Sequence, residues 1–180
     1  MIKKLLSAVR EYKKPSILAP IYVSLEVVME VIIPILMAKL IDNGLEKGDV
    51  SYVFVMGAIL AVCTLVSLAF GVLSGSCAAE ASAGFAKNLR HDMFKRVQEF
   101  SFANIDKFST AGLVTRLTTD VTNIQNAYQM ILRMCFRAPI TLIVAMCMAF
   151  IINGRIASIY LIAVIFLGVI LFTIMKFAMK

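Results

Sequence analysis

The sequence predicts an all-α integral membrane protein with four transmembrane helices, and three observations carry that prediction. Of the 180 residues, 61% are hydrophobic and 16% are charged, where soluble domains average about 45–50% and roughly 25%. The apolar residues gather in four blocks, Ser16 to Ile41, Tyr52 to Ala79, Met134 to Ile152 and about 156–176. Each block supplies about the 17–25 residues that a helix needs to cross a hydrocarbon core of about 30 Å. The blocks are rich in Leu, Ile, Ala and Met without strand-like alternation, and a helix satisfies its own backbone polar groups in lipid.

Residues 1–15 form a basic segment ahead of the first span. Leu5, Leu6 and Val9 fall on one helical face with lysines around them, the pattern of a short helix lying in the membrane interface until Pro15 redirects the chain. A plain basic topology signal fits the same residues. A cleaved signal peptide does not fit, because the apolar run is too long and Lys39, Asp42 and Asn43 stand where small residues would be needed.

Charge sets the orientation. Lys3, Lys4, Arg10, Lys13 and Lys14 precede the first span, whereas the connection from Asp42 to Ser51 holds Lys47 against three acids. The positive-inside rule places the N-terminus in the cytoplasm. The long connection, about residues 80–133, carries Lys87, Arg90, Lys95, Arg96, Lys107, Arg116 and Arg133 and lies on the same side, and the last connection is only Asn153-Gly154-Arg155. The net charge of +7 is therefore membrane topology; no aromatic-basic stripe marks a nucleic-acid partner.

The second helix does not stop at the bilayer. Phe85, Leu89, Met93, Val97 and Phe100 recur every three or four residues among Lys87, Arg90, Lys95, Arg96 and Glu99, an amphipathic continuation. Leu113, Leu117, Val121, Ile124, Tyr128 and Ile131 repeat that spacing on the return, so two helical arms extend into the cytoplasm and bury their stripes against each other or against neighbours. Between them, Asn104-Ile105-Asp106-Lys107-Phe108 fits one short helix with Asn104 as N-cap, and Ser109, Thr110 and Gly112 supply turn chemistry. Ile105 and Phe108 at such a tip suit docking into a groove on a separate soluble unit; a structural turn with two incidental apolar residues is the plain alternative.

The run from Ile105 to Val121, Ile-Asp-Lys-Phe-Ser-Thr-Ala-Gly-Leu-Val-Thr-Arg-Leu-Thr-Thr-Asp-Val, resembles the first intracellular loop of ABC exporters. The resemblance extends over nearly the whole chain and implies spans one to four of a six-helix transmembrane domain. It also implies that Asn104, Ile105, Asp106, Lys107, Phe108, Ser109 and Thr110 form the first coupling helix, docking on a nucleotide-binding domain, and that two such halves pair in a bacterial cell membrane. Asn104-Ile105 stands where the family often has two phenylalanines and Ala111 where it often has glycine, which favours a heterodimer. Arg116 and Asp120, at i and i+4, match the family pattern and are expected as a structural pair of the returning arm, worth a few tenths of a kcal/mol at most.

Within the spans, Glu26 and Glu30 share one face of the first helix. Carboxylates at membrane depth are costly, so they are candidates for lining a substrate cavity, or for pairing with a basic residue of another helix. Met29, Met37, Met56, Met130, Met134, Met146 and Met148 suit lipid contact, packing or an adaptable cavity wall. Gly71-x-x-x-Gly75 permits close helix approach. The four cysteines form no C-x-x-C, the single histidine is His91, and neither suggests a metal site. No G-x-x-x-x-G-K-[ST] loop occurs, so no ATPase site lies within these residues; the resemblance implies ATP and magnesium on a nucleotide-binding domain outside them. The apolar pattern runs to Lys180 without a cap, which predicts a truncated product or a sequence fragment. A self-contained four-helix scaffold or regulator that binds a partner through its hairpin is the alternative, and reading the gene beyond codon 180 separates the two.

Overall fold

The computed structural model describes residues 7–99 and 110–178. A 3-10 segment, Ser7–Tyr12, leads into α1 (Lys13–Leu40), which ends in a π turn, Ile41–Leu45. Then come α2 (Val50–Gln98), α3 (Thr110–Thr115) with a second π turn at Arg116–Asp120, α4 (Val121–Ile152) and α5 (Gly154–Ala178). No strand occurs among the described residues. Four helical stretches are long and apolar enough to cross a membrane, as the four apolar blocks predict. Phe54, Leu65 and Leu68 on α2 are exposed, the pattern of a helix whose solvent is hydrocarbon.

The chain divides into two units, residues 1–138 and 139–180. In the first, α1 and α2 pack closely because the residues at their contact are small. Ala19, Ser74, Ala78 and Ala81 are fully buried, and the Ser74 hydroxyl donates to the Ala19 carbonyl at 3.2 Å. Tyr22 stacks on Phe70. The turn between the two helices is built by three residues. Gly48 takes φ +68°, open to glycine at little cost; a Cβ on Gly44 would press to 2.7 Å from the Val53 side chain; and the Asp49 carboxylate accepts from the Tyr52 N–H at 3.1 Å, capping α2.

The 49 residues of α2 form one unbroken helix, about 74 Å long at about 1.5 Å per residue. That is more than twice the hydrocarbon thickness of about 30 Å, so its second half stands clear of the apolar core. Along that half, Phe85 is buried and stacks on Tyr128 of α4 with ring centroids 4.7 Å apart, and Leu89 and Ile124 pack around them. Arg90 donates to the Thr122 hydroxyl at 3.2 Å. The two arms thus meet through part of their apolar stripes, Phe85 and Leu89 against Ile124 and Tyr128, while Ile131 stays exposed.

The N-terminal segment packs on the second helix. Ala8 and Val9 are buried against Phe85, and Asn88 donates to the Ala8 carbonyl at 2.9 Å. Arg10 pairs with Asp92 at 2.8 Å, and the Tyr12 ring lies over Gly84. Leu5 and Leu6 lie outside the described residues. The segment is therefore a clasp on α2, and Gly84 is glycine because a Cβ there would enter the Tyr12 ring. Gly84→Leu is expected to destabilise by about 1–3 kcal/mol through overpacking. Tyr12→Ala in the same chain should restore much of the loss, read as the thermal midpoint and as hydrogen exchange at residues 7–14.

In the second unit, Asn153 alone separates α4 from α5. Its side chain accepts from the Arg155 N–H at 3.1 Å, closing the turn as a cap. Ala157 is fully buried there, and Leu142, Met146, Ala149, Tyr160 and Val164 line an apolar groove.

A charged cluster and cavity between the first and fourth helices

Helix α4 approaches α1 through long side chains. The Tyr128 hydroxyl donates to Ser16 Oγ at 3.0 Å, and Leu132 reaches the cluster of Ala19, Ala78 and Ala81. Farther along, Arg137 places Nη1 3.0 Å from Glu26 Oε1 and Nη2 against Glu30. One guanidinium therefore answers two carboxylates a helical turn apart, the fork geometry that distinguishes arginine from lysine. Glu26 is the most enclosed member, with 13% of its side chain exposed against 39% for Arg137 and 40% for Glu30.

Gly71 makes room for this cluster: its Cβ position lies 3.2 Å from Glu26 Oε1. Gly75, one turn on, faces Arg133, with Nη1 4.0 Å from its Cβ position. Gly71 accordingly leaves space for a charged side chain, in addition to the close α1–α2 approach made by Ala19, Ser74 and Ala78. Glu26 Oε2 is buried without a hydrogen-bond partner among the described residues, so the Glu26 carboxylate depends on Arg137 for its compensation.

Beside the cluster opens a cavity of about 500 Å³, within the range of about 300–1,000 Å³ usual for small-molecule sites. Asn126, Gln129, Arg133 and Arg137 supply its polar wall, and Val23, Met130 and Met134 its apolar wall. Nearer the hairpin tip, Met93, Val97, Leu113 and Leu117 line a second hollow of about 280 Å³, rimmed by Asp92, Arg96 and Arg116.

The structure brings Glu26 and Glu30 together on Arg137, the basic partner on another helix that sequence reasoning anticipated without naming. Asn104, Ile105, Asp106, Lys107, Phe108 and Ser109 lie outside the described residues, and Thr110 opens α3. Arg116 and Asp120 are the first and last residues of a π turn and form no ion pair with each other among the described residues. Asn126, Gln129, Arg133 and Arg137 were missed as a group, although their steps of three, four and four mark one face of a helix. His91 has no resolved role, the four cysteines are free, and no metal-binding cluster occurs among the described residues.

A family model described as the ABC transporter transmembrane region matches residues 17–180. The chain belongs to that family. Among its relatives, the uncharacterized ABC transporter ATP-binding protein YfiB of Bacillus subtilis is 32% identical over 91% of this chain and 28% of its own length. An ATP-dependent lipid A-core flippase of Albidiferax ferrireducens is 28% identical over 69% of this chain and 21% of its own length. A second, from Pseudoalteromonas translucida, is 22% identical over 97% of this chain and 30% of its own length. The chain thus spans less than a third of each of these relatives. The Glu26–Arg137–Glu30 cluster joins two of the helices long and apolar enough to cross a membrane.

Proposed function

We propose that this chain is a membrane-spanning segment of an ATP-driven ABC exporter, forming part of the path of an amphiphilic substrate and the first coupling loop to a nucleotide-binding domain. The observation that carries the reading is α2: a single rod too long for the bilayer, clasped by its own N-terminus and braced by α4, is built to transmit force along its axis. ATP and magnesium would act on the nucleotide-binding domain, whose closure the hairpin would pass to the spans. The N-terminus would lie in the cytoplasm of a bacterial cell, by the charge asymmetry of its connections. A second half-transporter would complete the path, with a non-identical half favoured by Asn104-Ile105.

Amphiphile export, including multidrug export, is supported by a cavity that joins a polar wall to methionines able to repack around varied apolar shapes. Three relatives carry the name lipid A-core flippase, which agrees with an amphiphilic cargo. Glu26 and Glu30 would act as the charged floor of the path through Arg137, and Arg116 and Asp120 would shape the base of the returning arm.

The coupling role is tested at the tip. Phe108→Ala, removing an aromatic anchor worth about 2 kcal/mol or more at a docking site, should weaken engagement about thirtyfold. In the assembled transporter it should reduce transport and substrate-stimulated ATP hydrolysis while leaving nucleotide binding unchanged. Normal coupled transport in Phe108→Ala combined with Ile105→Ala would remove the tip from the mechanism.

A further inference from the structure

We infer that α4 has two seats on α1, one helical turn apart, and that Arg133 and Arg137 are the side chains that fix them; this rests on the reading that nucleotide-driven closure reorients the spans, and names a movement by which it does so. In the present seat one guanidinium serves two carboxylates, because Arg137 meets both Glu26 and Glu30. A second guanidinium stands at the matching spacing. Arg133 and Arg137 are four residues apart on α4, as Glu26 and Glu30 are on α1. The two helices run in the same direction, since Ser16 meets Tyr128 and Glu26 meets Arg137. Moving α4 forward by four residues, about 6 Å, therefore brings Arg133 to Glu26 and Arg137 to Glu30. Two arginines then answer two acids one to one.

Two unmet groups point to that second seat. Arg133 is partly buried, yet it has no ion-pair or hydrogen-bond partner among the described residues. Glu26 Oε2 is buried and also without a partner among them, and a buried acceptor left unmet is costly. The residues of α2 measure the gap between the two groups. Glu26 Oε1 lies 3.2 Å from the Cβ position of Gly71, and Arg133 Nη1 lies 4.0 Å from that of Gly75. Gly71 and Gly75 are one turn apart, so the idle cation stands one turn from the carboxylate that lacks a donor. With a guanidinium of its own, Glu26 can be bonded through both oxygens.

The surface that α4 travels over in such a step is smooth. Leu132 and Tyr128 rest against Ala19, Ala78 and Ala81, and the next turn of α2 offers Ser74 and Gly75, so both side chains pass from small residues to small residues. Ile124 already shares the Phe85 cluster with Tyr128 and would take the place that Tyr128 leaves. The cavity of about 500 Å³ along this face of α4 gives its side chains room to move. By contrast, α1 and α2 are tied to each other by the bond from Ser74 to the Ala19 carbonyl and by the stack of Tyr22 on Phe70. The part free to step is therefore α4, and a packed interface steps between discrete seats, one turn being among the known increments.

The test is the assembled transporter in phosphatidylcholine nanodiscs, its native cysteines replaced by alanine, with spin labels at the exposed Met37 and Ile131. Distances are taken without nucleotide and after trapping with ATP and vanadate. Ile131 lies behind Arg137 on α4 and Met37 beyond Glu30 on α1, so the forward step should shorten their separation by about 5 Å in one of the two states. A control pair at Met37 and Leu68 should hold its distance, because α1 and α2 move together. Arg133→Gln should keep the longer Met37–Ile131 distance in both states without lowering the thermal midpoint of the longer one, where Arg133 bonds nothing, and Arg133→Lys should recover part of the step. A step of equal size in wild type and Arg133→Gln would overturn the inference, as would a lowered midpoint, which would make Arg133 a contact of the present seat. An unchanged distance in a wild type that transports would overturn the step and leave export standing. A step that needs Arg133, in a complex that hydrolyses ATP but moves no amphiphile, would support the two seats and overturn the export reading.

Discussion

Arg137→Gln is expected to lower the thermal midpoint and the yield of folded protein sharply, because it removes the one cation that Glu26 and Glu30 meet among the described residues. Deleting one partner of a buried ion pair costs about 3–5 kcal/mol, since the other charge is left without compensation. Arg137 and Glu30 keep part of their surface open, and exposed pairs are worth far less, so we expect about 2 kcal/mol, most of it from Glu26. That assignment makes a sharper forecast. Glu26→Gln combined with Arg137→Gln should be more stable than Arg137→Gln alone, whereas Glu30→Gln in the same background should recover little. A double-mutant cycle over the three residues measures the coupling. A melting curve for Arg137→Gln that overlays the wild type would show that the cluster contributes nothing to the association of α1 with α4.

The cluster also shows what could be read before the structure. Four spans and the long arms follow from apolar blocks and period, because membrane solvation leaves so few alternatives to a helix. The extension of α2 was legible because its apolar stripe continues at the same spacing past Ala79 while charges appear between. The cavity was not, because it depends on which helix turns which face toward which neighbour. Asn126, Gln129, Arg133 and Arg137 do lie on one face, but this becomes a site only once α4 is set against Glu26 and Glu30. Gly71 was legible as a small residue but not as the space for Glu26. The π turn at Arg116–Asp120 and the clasp of Ala8 and Val9 on Phe85 are matters of backbone register and tertiary docking, for which a local pattern carries little signal.

The second large effect is expected at Ala81, between the part of α2 that crosses the membrane and the part that leaves it. Ala81 is fully buried in an unbroken helix, so proline there removes one backbone hydrogen bond and clashes with the preceding turn. The cost is about 3 kcal/mol or more, with a kink or break as the result. If α2 works as a rigid lever, stiffness is the property that matters. It is measurable without a substrate, with spin labels at the exposed Leu68 and Phe94 in a protein whose four native cysteines are replaced by alanine. The labelled backbone positions, 26 residues apart, are separated by about 39 Å at about 1.5 Å per residue in a straight helix. The wild type should give a narrow distance distribution near that value, and Ala81→Pro a broad or shortened one together with loss of coupled transport. Ala81→Gly, which costs only about 1 kcal/mol in a helix interior, should keep the narrow distance and most of the transport, so that a failure of the proline variant reports the broken rod and not the lost methyl group. A broad distribution in the wild type would mean that force cannot pass along α2, and the hairpin would then have to act as a tether. Transport that persists in Ala81→Pro despite a demonstrated kink would lead to the same conclusion by the opposite route.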